Sequence, residues 1–216
     1  MLMRAIRLES PPLDVYRQMA LDELTAEAFD GAHVLRCYRW SGKAVTFGYA
    51  QSLKEVCRAL TGPARQWPLT RRPTGGGIVV HDQDLTFSCV FPAQENFRAE
   101  NVYAVLHGAL QKTLAASGVA VELKQGIVAG AAYAPSNGGL GSACFSNPVP
   151  QDLLGPGGEK ILGGAIRRYG ATVLYQGSLQ LSGARSRAQE LEAALAQGLS
   201  AVWGLDWTEA RAGGEL

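Results

Sequence analysis

The sequence contains no long apolar run. No segment approaches the roughly 20 apolar residues of a membrane-spanning helix, and residues 1–20 hold no apolar stretch long enough for the core of a signal peptide. These absences predict a cytoplasmic protein that does not bind membranes. Net charge is also nearly absent, because 20 Lys and Arg stand against 19 Asp and Glu. A formal charge of +1 gives no global attraction to nucleic acid, so nucleic acid is not an expected partner.

Cysteine pairs with metal-binding or redox spacing are missing as well. The four cysteines, Cys37, Cys57, Cys89 and Cys144, are far apart and form no CxxC motif. This spacing predicts neither a zinc site nor a redox dithiol, and we expect no bound metal. In a reducing compartment each cysteine is expected to be a free thiol.

The composition is that of a globular protein. Of the 216 residues 47% are hydrophobic and 18% are charged, which is too apolar for a disordered chain. Glycine is over-represented, with 26 residues, and its clustering predicts loops that approach a ligand or another backbone closely. No repeat or interdomain linker is visible, and the pattern indicates one α+β domain over residues 1–216.

The spacing of apolar residues divides the chain into helices and strands. Helical spacing predicts helices over 16–29, 51–60, 102–117 and 187–203. Alternation predicts a hairpin of strands 34–40 and 44–48, and a closing pair of strands at 173–175 and 178–181. Further strands are expected at 69–72, 78–80, 86–91, 119–124, 143–145, 152–154 and 160–165.

The densest chemical signal is the segment TRRPTGGGIVVHD, which begins at Thr70. Three consecutive glycines can let a ligand lie against the backbone and present several N–H groups to a carbonyl or phosphate, and two arginines add positive charge. No Gly-Lys-Ser/Thr follows, which excludes a Walker loop, and Val80 replaces the third glycine of a dinucleotide fingerprint. The ligand class stays open on spacing alone, and a glycine-rich β-turn between two strands explains the motif equally well.

His81 and Asp82 are candidates for a catalytic base and the carboxylate that orients it. Neighbouring residues of a strand point to opposite faces, which argues against a hydrogen bond between the two. A packed, hydrogen-bonded histidine is therefore the favoured interpretation of His81.

Cys144 and Lys160 form the second chemical signal. Turn residues surround Cys144, which indicates a loop, where functional groups are concentrated. A lysine ammonium about 4 Å from the thiol would favour the thiolate by up to about 4 kcal/mol before desolvation, and about 1.4 kcal/mol already lowers the thiol pKa by one unit. An inert cysteine and a solvated turn lysine explain the same residues.

Several motifs together resemble one family. The segment from Arg71 to Asp82, followed by DLTFS from Asp84, is similar to the signature loop of the biotin/lipoate A/B protein ligase family. The resemblance continues in chain order through MALDE, VTFGYAQ, KILGGA and LYQGS, and covers nearly the whole chain. It implies a mixed β-sheet core flanked by helices. It also implies substrate binding by Arg71, Arg72, Thr74, Gly75, Gly76, Gly77, His81, Gly163 and Ala165.

Within that family the segment Ala143–Phe145, followed by a proline, is similar to the cysteine loop of octanoyltransferases. This implies that Cys144 and Lys160 are catalytic: octanoyl passes from acyl carrier protein through a Cys144 thioester to a lysine of an apo lipoyl domain or a glycine-cleavage H-type protein. No cofactor is required, and no accessory C-terminal domain is expected. Docking of the acceptor is expected near Arg167 and Arg168.

Two departures keep alternatives open. Gly77 stands where the octanoyltransferase branch has an arginine, and the segment from Val149 to Asp152 replaces an aromatic-acidic pair. An ATP-dependent lipoate-protein ligase, which needs ATP and Mg²⁺ and uses Lys160 against an acyl-adenylate, is the alternative enzyme. A non-catalytic protein that binds acyl carriers or lipoyl domains is the third possibility.

Overall fold

The structure is a computed structural model that describes residues 4–28, 30–94, 97–126 and 148–212. Its helices are α1 (Val15–Glu27), α2 (Leu53–Ala59), α3 (Ala99–Ala116) and α4 (Ala188–Trp203). Its strands are β1 (Ala5–Glu9), β2 (His33–Cys37), β3 (Ala44–Phe47), β4 (Leu69–Arg71), β5 (Val79–His81), β6 (Leu85–Pro92), β7 (Glu122–Leu123), β8 (Leu153–Leu154), β9 (Lys160–Tyr169), β10 (Thr172–Leu179) and β11 (Thr208–Arg211). The expected strand 143–145 lies outside the described residues.

Two sheets organise the strands. The larger one has eight strands in the order β11-β1-β2-β6-β10-β9-β8-β7, and the smaller has the order β4-β3-β5. The large sheet is mixed, since β1 is parallel to both β11 and β2 whereas β2, β6, β10 and β9 pair antiparallel. The expected α+β fold with a mixed sheet flanked by helices is confirmed.

The two faces of the large sheet differ in chemistry. Along β10, Val173, Tyr175 and Leu179 join the main apolar core, to which α3 and α4 also contribute. The alternate side chains face α1, where Gln176 donates a hydrogen bond to Asp22. One face therefore supplies apolar burial, and the other holds buried polar groups.

Local signals set the start of α1 and the end of α4. Asp14 caps α1 by accepting a hydrogen bond from the Arg17 amide at 2.9 Å. Gly204 ends α4 in the left-handed conformation at φ 65°. All four expected helices are present, with bounds that differ from the expectation by at most three residues. No helix within the described ranges is long and apolar enough to cross a membrane.

The expected hairpin of strands 34–40 and 44–48 is wrong. Strand β2 pairs with β1 and β6 in the large sheet, whereas β3 pairs with β4 and β5 in the small one. After β2 the chain continues along β6, where the Tyr38 amide donates to the Thr86 carbonyl at 2.9 Å. The chain bends at residues 41 and 42, but a turn signal in the sequence does not specify which strands pair.

The expected closing pair 173–175 and 178–181 is also wrong, because a single strand, β10, runs through both segments as far as residue 179 and pairs with β9 and β6. Gly177 lies inside that strand rather than in a turn. A Cβ at Gly177 would stand 2.7 Å from the Phe87 ring and 2.9 Å from Tyr175. The glycine is needed for close packing against aromatic rings, a use of strand glycine that resembles a turn in the sequence.

Candidate functional site

A cleft opens between the two sheets and helix α1. Its floor consists of small residues from β9 and β10, including Gly163, Gly164 and Gly177. Met19 and Val79 line it together with seven residues that carry polar groups: Tyr38, Thr46, Arg72, His81, Thr86, Gln176 and Ser178. Small residues and apolar walls suit an extended apolar ligand whose polar end is fixed by a few groups.

The floor is thin. A Cβ at Gly164 would stand 2.4 Å from the Tyr175 ring, and one at Gly177 would stand 2.7 Å from Phe87. These two glycines are direct cross-strand partners. The aromatic rings of the main core therefore contact, from behind, the same backbone that lines the cleft.

The glycine-rich loop connects β4 to β5, which pair on opposite sides of β3 and not with each other. It is a crossing loop, so the β-turn between two paired strands does not describe it. The Arg72 guanidinium donates to the Gly75 carbonyl from Nε at 3.0 Å and from Nη2 at 2.6 Å. A Cβ at Gly48 would stand 1.9 Å from the Gly76 carbonyl oxygen, so only glycine fits beneath the loop.

A buried polar network ties helix α1 to that loop. Asp22 accepts hydrogen bonds from the Arg36 guanidinium at 2.9 Å and 2.5 Å and from Ser88 at 2.6 Å. Its second oxygen accepts from the Tyr38 hydroxyl and, at 2.7 Å, from Gln176. Burial and the neighbouring Asp22 carboxylate raise the pKa of Tyr38 well above its ordinary value, so the hydroxyl remains a donor.

The network reaches the loop through Gln176. Its amide oxygen accepts from the Thr74 hydroxyl at 2.6 Å. Thr74 itself is fully buried, and its carbonyl accepts from the Tyr49 amide at 2.9 Å. The start of the glycine loop is thus fixed by Gln176 of β10 and by the Tyr49 amide, and Gln176 is itself held by Asp22 of α1. Sequence reasoning did not identify this network, because its members are scattered along the chain.

His81 lies at the end of β5 and lines the cleft. Its Nε2 is 2.9 Å from the Thr46 hydroxyl and its Nδ1 is 2.7 Å from Asp84. The Trp40 ring stacks on the imidazole at 4.6 Å between centroids. The expectation of a packed, hydrogen-bonded histidine agrees with these contacts, and Asp82 instead pairs with Lys43 at 2.9 Å.

Asp84 is the carboxylate that sequence reasoning overlooked, although the segment HDQD displays it three residues after His81. One of its oxygens accepts from Thr86 at 2.6 Å and from Ser178 at 2.8 Å. Burial opposes ionisation of this carboxyl, but the electrostatic attraction and hydrogen bond of His81, together with the two hydroxyl hydrogen bonds, lower its pKa below the ordinary value. Asp84 is therefore ionised, and its carboxylate orients His81.

Lys160 is buried at the edge of the cleft. Its Nζ lies 2.9 Å from the Asp152 carboxylate, with both side chains at most 5% exposed. Burial raises the pKa of Asp152, and the nearby Lys160 acts in the opposite direction. A β-bulge between β8 and β9 changes the register at this point, and the Lys160 chain lies on Gly163, where a Cβ would stand 2.1 Å from its Cε.

The structure brings together part of the predicted site. Among the predicted residues Arg72, His81, Gly163 and Ala165 line the cleft, and Lys160 contacts Gly163. Arg71 is exposed, and its guanidinium donates to the carbonyls of Tyr49 and, at 2.7 Å, Gln51. Cys144 lies outside the described residues. The described part of the chain contains no cluster of three acidic, histidine or cysteine side chains that could hold a metal ion.

The three described cysteines do not line the cleft. Burial raises the pKa of Cys37 to about 12 and that of Cys89 further still. Cys57 is exposed on α2. A thiol with a pKa this high is almost entirely protonated at neutral pH, so Cys37 and Cys89 are packing residues.

The fold is similar to that of solved lipoate ligases. A T. acidophilum protein described as a lipoate protein ligase, solved with bound lipoic acid, has a TM-score of 0.72 at 21% identity and covers 99% of this chain and 91% of its own. Lipoate-protein ligase A bound with ATP has a TM-score of 0.71 at 22% identity, covering 99% of this chain and 90% of its own. At this identity the likeness shows the fold alone.

Curated relatives give higher identity. Octanoyltransferase LipM of Oceanobacillus iheyensis is 30% identical over 181 residues, which is 81% of this chain and 63% of the relative. Octanoyltransferase LipM of Moorella thermoacetica is 32% identical over 181 residues, with 81% and 64% covered. The chain spans somewhat less than two thirds of the length of these relatives. The family model for the lipoyl protein ligase A/B catalytic domain matches residues 14–199, and the chain belongs to that family.

Proposed function

We propose that this chain is an octanoyltransferase, which moves an octanoyl group from acyl carrier protein to a lysine of an apo lipoyl domain or a glycine-cleavage H-type protein. The observation that carries the proposal is the buried Lys160 ammonium at the edge of a cleft with a floor of small residues. Similarity to octanoyltransferases over 81% of the chain supports the same reaction.

The cleft suits the acyl chain. Met19, Val79 and the glycines of β9 and β10 offer an apolar surface without bulky side chains on its floor. In the proposal the methylene chain lies along Gly163, Gly164 and Ala165, and the glycine loop with Arg72 and His81 borders the carbonyl end. The fixed geometry of the loop, anchored through Thr74, reduces the ordering that binding requires.

Lys160 acts on the nucleophile. The proposal requires the Cys144 thiol to come within about 4 Å of Lys160 Nζ, where an ammonium favours the thiolate. The Cys144 thiolate attacks the carbonyl of the octanoyl thioester, and the carrier leaves as a thiolate. The amine of the acceptor lysine then attacks the acyl-cysteine and forms the amide, which releases Cys144. The proton lost by the amine ends on the carrier thiol, so the two steps balance.

No ATP enters this scheme, because the incoming thioester is already activated. The partners in the proposal are therefore two proteins, the acyl carrier and the acceptor domain. The solved T. acidophilum ligase was studied with its E2 lipoyl domain, which supports an acceptor of this class here. Arg167, which contacts the Pro73 carbonyl at 3.1 Å and the Tyr49 ring, lies beside the glycine loop where that domain would dock.

The decisive experiment is intact-mass analysis of the protein with octanoyl carrier protein and apo lipoyl domain, with and without ATP. We expect an octanoyl adduct that hydroxylamine removes, and modification of the acceptor without ATP. Cys144→Ala abolishes both, whereas Cys57→Ala, a matched change at the exposed cysteine, leaves both unchanged.

Two results would contradict the proposal. Modification of the acceptor only with free octanoate, ATP and Mg²⁺, unaffected by Cys144→Ala, would make the protein a ligase. Binding of the carrier or the acceptor without turnover under either condition would make it a binding protein. Lys160→Met is compared in the same intact-mass assay with Lys43→Met, a change at an exposed lysine. The comparison separates the role of Lys160 from a general effect of removing one positive charge.

A further inference from the structure

His107 in α3 is a buried titratable group that the proposed chemistry does not use. Its side chain is almost fully buried, and both ring nitrogens have partners: Nδ1 lies 2.5 Å from the Gln151 carbonyl and Nε2 lies 2.8 Å from the Tyr175 hydroxyl. Because a carbonyl can only accept, Nδ1 carries the hydrogen and Nε2 accepts from the tyrosine. Burial lowers the pKa of His107 to about 4, so the ring is neutral at physiological pH.

The Gln151 carbonyl belongs to a strained turn. The Asp152 amide donates to the Val149 carbonyl at 3.1 Å, Pro150 occupies the second position, and Gln151 in the third has φ 72°. These are the features of a type II turn, whose third position favours glycine. A glutamine in this conformation is strained, so surrounding contacts must hold it.

Hydrogen bonds hold both backbone polar groups of Gln151. Its carbonyl accepts from His107, and its amide donates to the Lys124 carbonyl at 2.9 Å. The next residue, Asp152, accepts from the Val149 amide at 2.7 Å and pairs with Lys160 at 2.9 Å. The orientation of the turn therefore decides where the carboxylate meets the lysine.

Packing alone does not explain a histidine at this position. Burying an imidazole removes two polar nitrogens from water, and an apolar side chain of similar size avoids that cost. The ring directs its Nδ1 hydrogen at the carbonyl of the strained residue. The histidine thus supplies the hydrogen-bond donor that the Gln151 carbonyl needs.

We propose that His107 is a positioning residue for Lys160: its Nδ1 hydrogen bond holds the Val149–Asp152 turn in the conformation that sets the Asp152 carboxylate against Lys160 Nζ. The effect on transfer rests on the proposed function, whereas the placement of the lysine does not. The test therefore measures the lysine directly.

Reductive methylation with formaldehyde and a hydride donor, mapped by peptide mass spectrometry, reports the accessibility of each lysine. Lys160 in the native protein is expected to react at least tenfold more slowly than Lys43, whose side chain is 53% exposed. His107→Asn places an amide nitrogen near the position of Nδ1, whereas His107→Gln places one near Nε2. We expect His107→Asn to keep Lys160 labelling within twofold of wild type, and His107→Gln to raise it at least fivefold.

A second variant separates positioning from packing. Gln151→Gly removes the strain of the left-handed conformation, so it should return Lys160 labelling in His107→Gln at least halfway to the wild-type rate. A loss of core packing would not be corrected by a change in the turn. Equal labelling of the Asn and Gln variants, or no rescue by Gln151→Gly, would overturn the inference.

Transfer kinetics then connect the placement to the reaction. His107→Gln is expected to lower kcat for octanoyl transfer at least fivefold while the KM for the acceptor domain stays within twofold. If the labelling pattern holds and no transfer occurs in wild type, the proposed function fails and the positioning role stands. If wild type transfers octanoyl and the labelling pattern is absent, the positioning role fails alone.

Discussion

Replacing Asp22 by asparagine tests the buried network that links α1 to the glycine loop. The substitution keeps the shape of the side chain but removes the charge opposite Arg36, and both side chains are 1% exposed. An amide nitrogen must also face donors, since the two carboxylate oxygens accept from Arg36, Ser88, Tyr38 and Gln176.

Breaking a buried ion pair by removing one partner typically costs 3–5 kcal/mol. The asparagine oxygen retains one acceptor, so we expect the lower end, about 3 kcal/mol of unfolding free energy. For a chain of this length that corresponds to a fall in Tm of about 6–12 °C. Urea denaturation followed by tryptophan fluorescence measures the change, with the slope of the transition unchanged.

Asp82→Asn is the matched control, because Asp82 is 35% exposed and pairs with Lys43 at the surface. Such a pair contributes at most about 1 kcal/mol. If Asp22→Asn lies within 1 kcal/mol of Asp82→Asn, the buried pair does not stabilise the fold as argued. We further expect the KM for octanoyl carrier protein to rise in Asp22→Asn, since Gln176 then holds Thr74 less firmly.

Three further predictions follow from single residues. Gly163→Ala places a Cβ against the Lys160 chain, so it should speed Lys160 methylation and lower Tm, whereas Gly42→Ala, where a Cβ meets nothing within 4 Å, should do neither. Gly108→Ala in α3 also meets nothing within 4 Å and should stabilise the protein by about 0.5–1 kcal/mol in urea denaturation. His107 stays neutral in the native state, so the unfolded state binds its proton first as the pH falls. Between pH 6.5 and pH 4 the free energy of unfolding should therefore fall by about 3 kcal/mol more in wild type than in His107→Asn. Urea denaturation of both proteins at pH values across this range measures the change, and an equal loss of stability in the two proteins would refute that coupling.

The helices and the fold class could be predicted because they depend on local periodicity and on motifs in chain order. Strand pairing could not, since β2 and β3 carry the same alternation whether they pair with each other or lie in different sheets. Gly177 shows the same limit: a glycine in a turn and a glycine under an aromatic ring are identical in sequence, and only the position of Phe87 distinguishes them.

The candidate site was predictable where its residues are close in sequence. Arg72, just before the glycines of the loop, and the segment from Gly163 to Ala165 line the cleft, and Lys160 contacts Gly163. The partners of those residues come from distant parts of the chain. Asp22 and Gln176 are separated by 154 residues, and their contact follows from α1 packing on β10, which no local pattern encodes.

The thin cleft floor has a consequence for substrate selectivity. At Gly164 and Gly177 a single layer of backbone separates the ligand side from the rings of Tyr175 and Phe87. The apolar core and the cleft thus share one wall. A smaller side chain behind it, as in Phe87→Leu, would let the wall recede and deepen the cleft, although Phe87 itself does not line it. If the cleft holds the acyl chain as proposed, the preference for chain length can therefore change through substitutions in the core, while every side chain that lines the cleft stays the same.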